Sequence, residues 1–499
     1  MTALLVATLM ANRPSEATEP LSRPPGEADF LELRLDALQT PDPATVSKLL
    51  RLPRSIPVIA TCRAESQGGR FSGSNAKRLD LLRTAAEEGA DFLDLEDGEL
   101  DDLPDAVPGE RIASTHLSRF VPRLSALAQR IAQRGAQFGK LAVPASDPSQ
   151  LMRLLHLQEE MGSQFAVVPT GPLALAGRVM GLQRGAALCY GAVHTENPGH
   201  PDQPSFAQLQ EIYHPHLVRP STRFYAVIGK PIGHSHSPAF HNAVFRATGT
   251  DARFVPLEVT GVAAVLTEAD DLHLDGIAVT HPLKEEAVEI AASALPDSEA
   301  TGAANTLVRT DLGWQARNTD WKAGCDLLPR LLRNWRRKHE GRIPRVLLMG
   351  SGGAARALAV SLFNEEIEMA IWSRTASHAQ ALADFLSPPL SPTVVTDLES
   401  YPADLVINAT PIGMPGVDPH PENISAQIFN DGGLSVDLAY GSADSPFQKA
   451  AKEAGAHLTT GVDFFLLQAK RQAEVFLQQS LPPEVLKQGA DAVRQKEAS

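Results

Sequence analysis

Eight short apolar runs recur at near-even spacing through the first ~215 residues, and few folds can satisfy such a pattern. They are ALLVATL (3–9), ADFLELRLD (28–36), IPVIATC (56–62), ADFLDLE (90–96), RIASTHL (111–117), FGKLAVPA (138–145), QFAVVPTG (164–171) and AALCYGAV (186–193). Between them lie stretches such as AKRLDLLRTAAEEG and PSQLMRLLHLQEEMG, whose apolar residues fall at helical spacing. The second of these ends in Gly162, a suitable helix C-cap. Strand alternating with helix implies a parallel sheet, and eight such units imply a (β/α)8 TIM barrel. An open doubly wound sheet with one strand miscounted is the alternative.

A barrel carries its chemistry at the C-terminal ends of its strands. The polar residues there are Glu32, Arg34 and Asp36 after the second run and Arg63 after the third. Asp94 and Glu96 end the fourth, His116 the fifth, and Lys140 lies in the sixth. A lone lysine in FGKLAVP is anomalous, because a buried ammonium is costly and responds by lowering its pKa. An amine neutral near pH 7 attacks carbonyl carbon. A strand-end lysine reaching solvent is the ordinary alternative; His116, expected at a matching height on the neighbouring strand, argues for catalysis. Glu96 reads equally as a partner of His116 or as satisfied structure. Cys62, beside Arg63, reads as a small buried strand residue.

At 499 residues the chain exceeds one ordinary core. Its net charge of -14 argues against a nucleic-acid or anionic-membrane surface, although a few cations in one cleft can still hold an anionic substrate. Three scattered cysteines make neither a disulfide framework nor a zinc site, which suits a reducing cytoplasm. MTALLVATLMANRPS has no basic residue ahead of its apolar run and reads as a buried first strand. No apolar stretch approaches the ~18 residues of a membrane span.

Two prolines break the pattern around 211–224, and at Phe224 strand-and-helix alternation starts afresh. His234, His236 and His241 crowd one loop, but without carboxylate or thiol at ligand spacing no metal site is expected. The basic stretch LLPRLLRNWRRKHEG reads as a solvated helix face. It leads into RVLLMGSGGAARALAVSLF (345–363), a strand, turn and helix carrying Gly350, Gly352, Gly353 and the small Ala354. Glycines at such a turn bring backbone N–H groups to a pyrophosphate. The next strand, MAIWSRT, ends in Ser373, Arg374 and Thr375, where an NAD enzyme would place an acid. A guanidinium and two hydroxyls suit the 2′-phosphate of NADP(H).

From about residue 224 the sequence resembles the shikimate dehydrogenases. The motifs, in order, are VIGKPIGHSHSPAFHN, VTHPLKEEA, GAANT, NTD, GSGGAARA, SRT, INATPIGM, VDLAY and GVDFFLLQ. The resemblance implies that Ser235 and Ser237 bind a substrate carboxylate and that Thr280, Asn305 and Gln468 contact ring hydroxyls, with Tyr440 nearby. It makes Lys284 and Asp320 the catalytic pair and places Gly461 at the cofactor. SRT stands where NRT is usual, and GVDFF departs from the common form. The first half resembles the type I 3-dehydroquinate dehydratases. There Glu32, Arg34, Arg63, Arg178 and Gln203 match substrate contacts, His116 the acid–base and Lys140 the Schiff-base lysine. Gln67 stands where many members carry Glu, and Gly199 where Ser is common.

Taken together, the halves resemble the fused dehydratase–dehydrogenases. The division implied is 1–215 for the barrel, 223–325 with 465–490 for a substrate-binding domain, and 326–464 for a Rossmann domain. The partners expected are 3-dehydroquinate, 3-dehydroshikimate, shikimate and NADP(H), with no nucleic acid and no membrane, in a cytoplasmic monomer or weak homo-oligomer. The alternatives are a dehydrogenase whose inactive barrel serves as a scaffold, and a second domain that prefers quinate.

Overall fold

The computed structural model describes residues 3–103, 106–414, 424–440 and 445–498. The chain forms two compact units. One comprises Met1–Ala226, Gly249–Val259 and Ala263–Leu274; the other comprises Val227–Thr248, Thr260–Val262 and Asp275–Ser499.

In the first unit the eight predicted runs become β1 (Leu4–Leu9), β2 (Phe30–Arg34), β3 (Val58–Thr61), β4 (Phe92–Glu96), β5 (Glu110–His116), β6 (Phe138–Pro144), β7 (Phe165–Thr170) and β8 (Leu188–Ala192). They lie in the order β7-β6-β5-β4-β3-β2-β1-β8, every registered pair parallel. Ala187 N donates to Phe165 O at 2.9 Å across the remaining gap, so the sheet is a nearly closed barrel. The apolar run at the N-terminus is a buried strand. Its Val6 packs with Phe30, Ile59 and Ile112 in the barrel interior, and Phe30 meets Phe92 edge-on at 5.1 Å. This apolar plug fills the lower barrel and leaves the polar ends of the strands around a space above it. Gly162 does close the helix Pro148–Met161, which Asp147 caps at its other end by accepting from Gln150 N.

A second sheet comprises β9 (Arg223–Gly229), β10 (Ala252–Glu258), β11 (Leu274–Val279), β12 (Ser293–Ala294), β13 (Thr306–Thr310) and β14 (Gly313–Arg317), in the order β10-β9-β11-β13-β14-β12. β13 is antiparallel to both its neighbours. A third sheet holds β15 (Arg345–Met349), β16 (Glu368–Trp372), β17 (Thr393–Val394), β18 (Ala403–Asn408), β19 (Phe429–Asp437) and β20 (His457–Thr459). Its order is β17-β16-β15-β18-β19-β20, parallel throughout. The chain runs outward from β15 to β16 on one side and returns to β18 on the other. That reversal opens a crevice at the strand ends where doubly wound sheets hold ligands. The basic stretch belongs to the helix Thr319–Arg336, whose Leu327, Leu328, Leu331 and Leu332 are buried and whose arginines face outward. Among the described residues, no helix is long and apolar enough to cross a membrane, and no cluster of three or more His, Cys, Asp or Glu could hold a metal ion.

Candidate active sites

The barrel mouth encloses a cavity of about 220 Å³, and Glu32, Arg34, Arg63, His116, Lys140, Arg178 and Gln203 all line it. Gln67, Tyr190, Gly199 and His200 line it as well. The volume suits one small ring.

Lys140 is the buried centre of the group, 3 % exposed. It is ion-paired with Asp94, which reaches it from β4, and lies 3.9 Å from Glu32. Its ammonium sits 4.6 Å from the centre of the Tyr190 ring. Burial pulls its pKa down, while Asp94 and Glu32 pull it back part of the way. Both carboxylates are themselves fixed. Glu32 accepts from Thr8 Oγ1 at 2.7 Å and Thr61 Oγ1 at 2.9 Å; Asp94 accepts from Ser114 Oγ at 2.5 Å.

Ser114 is the residue opposite Lys140 in the β5–β6 register, and His116 is opposite Ala142. His116 therefore stands one inward-facing step above Lys140, ~7 Å along the strand, and not at the matching height the sequence suggested. Strand pleating requires this offset, because side chains two apart share a face. The backbone N–H of His116 donates to Gln67 Oε1 at 3.0 Å. Its Nδ1 is shielded from solvent and has no hydrogen-bond partner among the described residues. Burial and the nearby Arg63, Lys140 and Arg34 charges hold its pKa well below the ordinary imidazole value. That shift favours the neutral imidazole. Glu96 accepts from Ala64 N at 3.3 Å, which is the satisfied-structure reading of that residue. Cys62 is buried, and burial raises its thiol pKa far above the ordinary range.

The arginines differ in how far they are already engaged. Arg34 spends Nε and Nη2 on Asp36, at 2.9 and 2.7 Å. Arg63 lies 3.9 Å from Asp94, and Arg178 donates Nη1 to Tyr190 O at 3.0 Å while its Nε has no hydrogen-bond partner among the described residues. Desolvation lowers the pKa of both Arg63 and Arg178. Two guanidiniums lodged in one cavity, neither in a short bidentate pair with a carboxylate such as Arg34 makes with Asp36, form a receptor for an anion. Gln203 donates to Thr8 Oγ1 at 2.9 Å.

In the second unit, Lys284 opens the helix Lys284–Ile290, and Asp320 lies in the first turn of the helix Thr319–Arg336. Lys284 Nζ is 2.6 Å from Asp320 Oδ2. Asn305 donates to Thr319 Oγ1 at 2.8 Å and to Gln468 Oε1 at 3.4 Å, which ties the motifs GAANT, NTD and GVDFFLLQ into one hydrogen-bonded group. Sequence reading had passed over Thr319, although its place beside Asp320 was the available signal. Thr280, at the end of β11, donates its backbone N–H to Ile228 O at 2.9 Å. Ser237 N donates to Ser235 Oγ at 3.3 Å, and the Tyr440 ring lies tilted against His236 with ring centres 4.5 Å apart.

The dinucleotide turn follows β15. Gly350 has φ of 114°, and a Cβ there would lie 2.8 Å from Ala409 O, so only glycine fits. Gly352 caps the helix Gly353–Val360 and would point a Cβ into open space. A Cβ on Gly353 would press on the Lys284 side chain at 3.2 Å, which puts the helix N-terminus beside the Lys284–Asp320 pair. Ala354 follows in the first turn. Ser373 Oγ is 3.1 Å from Ser351 Oγ, and Arg374 and Thr375 are exposed at the end of β16. A Cβ on Gly461 would collide with the Ala439 backbone, which lets the helix Gly461–Leu477 start close to β19. An open, glycine-lined helix N-terminus with a guanidinium at the next strand fits an NADP-type dinucleotide.

Both halves of the chain are similar to known proteins. Residues 5–217 match the family model for type I 3-dehydroquinase, and residues 227–307 match that for the shikimate dehydrogenase substrate binding domain. A bifunctional 3-dehydroquinate dehydratase/shikimate dehydrogenase of Arabidopsis thaliana, chloroplastic, is 29% identical over 92% of this chain and 79% of its own length. The shikimate dehydrogenase (NADP(+)) of Syntrophobacter fumaroxidans is 32% identical over 53% of this chain and 91% of its own. That of Anaeromyxobacter sp. (strain Fw109-5) is 35% identical over 49% and 87%. The chain therefore belongs to the shikimate dehydrogenase family and carries a type I 3-dehydroquinase domain ahead of it, the arrangement of a bifunctional dehydroquinate dehydratase/shikimate dehydrogenase fusion.

Proposed function

We propose that the barrel, residues 1–215, dehydrates 3-dehydroquinate through a Schiff base on Lys140. The second half then reduces the product, 3-dehydroshikimate, to shikimate with NADPH. The observation that carries this reading is Lys140 itself: a buried amine between two fixed carboxylates, one step below a neutral imidazole, in a cavity with anion-seeking arginines.

The unprotonated form of Lys140, which burial favours, adds to the C3 ketone and expels water to give an iminium, whose positive charge Asp94 and Glu32 offset. The iminium acidifies the C2 hydrogens. His116 removes one, the C1 hydroxyl leaves, and His116 returns the proton to it as water. Water then hydrolyses the new iminium and frees Lys140. Arg34, Arg63 and Arg178 hold the carboxylate and Glu32 and Gln203 the ring hydroxyls, so that the reacting carbons face Lys140 and His116.

At the second site, within 223–325 and 465–490, Ser235 and Ser237 take the carboxylate. Thr280, Asn305, Gln468 and Tyr440 orient the ring. The group held in 326–464 by Gly350, Gly352, Gly353, Ala354, Ser373, Arg374, Thr375 and Gly461 supplies a hydride to the ketone carbon when bound. Lys284 then gives a proton to the ketone oxygen, and Asp320 keeps the ammonium aimed. We place the protein in the cytoplasm as a monomer or weak homo-oligomer.

One reaction tests the whole reading: purified protein, 3-dehydroquinate and NADPH, with enone absorbance and NADPH followed together. NADPH loss with 3-dehydroquinate as the only carbon substrate is the expected result. Loss only when 3-dehydroshikimate is added would leave the barrel a scaffold and overturn the first half of the proposal.

A further inference from the structure

The helix Pro483–Ala498 packs against the helix Ser237–Thr248, which the serine loop opens into. Gly489, Val493 and Lys496 fall at helical spacing on one side of it. A Cβ on Gly489 would lie 2.8 Å from the Phe240 ring, so glycine permits the close approach. Val493 is fully buried with Phe240 and Val244. One turn on, the same stripe delivers Lys496, whose Nζ donates to the carbonyl oxygen of Ser235 at 2.6 Å. A surface lysine would extend into water; this one is half-buried and ends on the backbone of the loop.

We propose that Lys496 is a positioning and specificity-determining residue of the dehydrogenase site. Its ammonium fixes the Ser235 peptide and sets a positive charge behind the two hydroxyls that take the substrate carboxylate. The inference rests on the reading that Ser235 and Ser237 bind that carboxylate. The neighbouring charges support it. Burial brings the amine down to about 8, which leaves it protonated at neutral pH. His236, buried in the same loop, is lowered to about 4 and stays neutral. Glu497 lies 3.5 Å from His236 Nε2. Two neutral hydroxyls alone discriminate poorly between an acid and its ester. A fixed cation behind them favours the acid.

The test uses the full chain with shikimate and its neutral methyl ester as alternative substrates. Lys496→Met keeps the length and apolar stem of the side chain and removes the charge. It is expected to raise KM for shikimate roughly tenfold, the size of one charge-assisted contact. The ester KM should stay within about twofold, and kcat for both substrates should hardly move. Lys496→Arg should restore the preference for the acid. An unchanged KM for shikimate overturns the proposal, and so does an equal loss on acid and ester, which a merely structural role would give. Ser235→Ala separates the two levels of the argument. A raised shikimate KM there with no effect at Lys496 removes only the lysine, and no effect at Ser235 removes both readings.

Discussion

The Lys140 ammonium is ion-paired with the Asp94 carboxylate across the β4–β5–β6 sector of the barrel, both groups nearly out of solvent. Ser114, the residue opposite Lys140 on the strand between them, donates its hydroxyl to the same carboxylate. Three adjacent strands thus hold one charge pair. The arrangement opposes burial, which alone would strip the amine of its proton, and it keeps a negative charge ready for the cationic iminium.

Asp94→Asn is therefore expected to lower dehydratase kcat by roughly 10²-fold, the usual cost of one electrostatic partner of a charged intermediate. Lys140 stays present as the nucleophile, so borohydride still traps some covalent adduct. Lys140→Ala traps none and loses turnover entirely. Both variants keep shikimate oxidation by NADP at the level of the parent. Mass spectrometry after borohydride and two steady-state assays check the set; an Asp94→Asn rate close to the parent would dismiss Asp94 from the mechanism.

His116 acts as a base only when neutral, and burial beside Arg63 and Lys140 lowers its pKa well below the ordinary value. A lowered pKa keeps the active form populated as pH falls. Dehydratase kcat/KM should accordingly hold down through pH ~6.5, where an exposed histidine would already be half protonated, and decline only at more acidic pH. Arg63→Gln removes one of the repelling cations and should move that acid limb upward. A limb at the ordinary histidine position in the parent would contradict the electrostatics described here.

How much of this was legible beforehand follows from the range of each interaction. The barrel was readable because its strands are buried on both faces and so appear as continuous apolar runs. Lys140 was readable because it interrupts one of them, and the dinucleotide turn because its glycines follow a strand and open a helix. The partners of Lys140 were less plain. Asp94 is legible only as a polar strand end, and nothing local in AALCYGAV says that the Tyr190 ring lies beside an ammonium. Glu96 could be weighed two ways because the choice depends on Ala64, more than thirty residues away in sequence. Lys496 was invisible: in KQGADAVRQKEAS it looks like any surface-helix lysine, and its acceptor is 261 residues distant in sequence.

His241 makes a stability prediction in the second unit. Its ring is fully buried between Phe240 and Phe476, and Nε2 lies 3.0 Å from Gln472 Oε1. Burial lowers it to about 3, against ~6.5 in an unfolded chain. Between those values the unfolded state binds the extra proton, so stability falls as pH falls. The contribution lost by pH ~5 is about 2 kcal/mol. Urea denaturation at pH ~7 and ~5, followed by shikimate oxidation, reads it. His241→Leu should show a drop smaller by that amount, whatever its stability at neutral pH; an identical drop in parent and variant would exclude His241 as its source.

Arg374 decides the cofactor prediction. It stands exposed at the end of β16, next to Ser373, whose hydroxyl is 3.1 Å from that of Ser351 in the dinucleotide turn. A guanidinium can pair with a 2′-phosphate in two parallel hydrogen bonds, whereas NADH would offer it only a hydroxyl. Arg374→Ala should raise KM for NADPH roughly tenfold or more while leaving KM for NADH and both kcat values near those of the parent. The exposed side chain contributes little to folding, so the melting temperature should not move by more than a degree or two. Dehydratase turnover on 3-dehydroquinate provides the internal control, since the proposed dehydration consumes no NADPH. If NADPH and NADH lose equally, discrimination lies elsewhere in the turn, and Ser373 with Thr375 would be the next substitutions to measure.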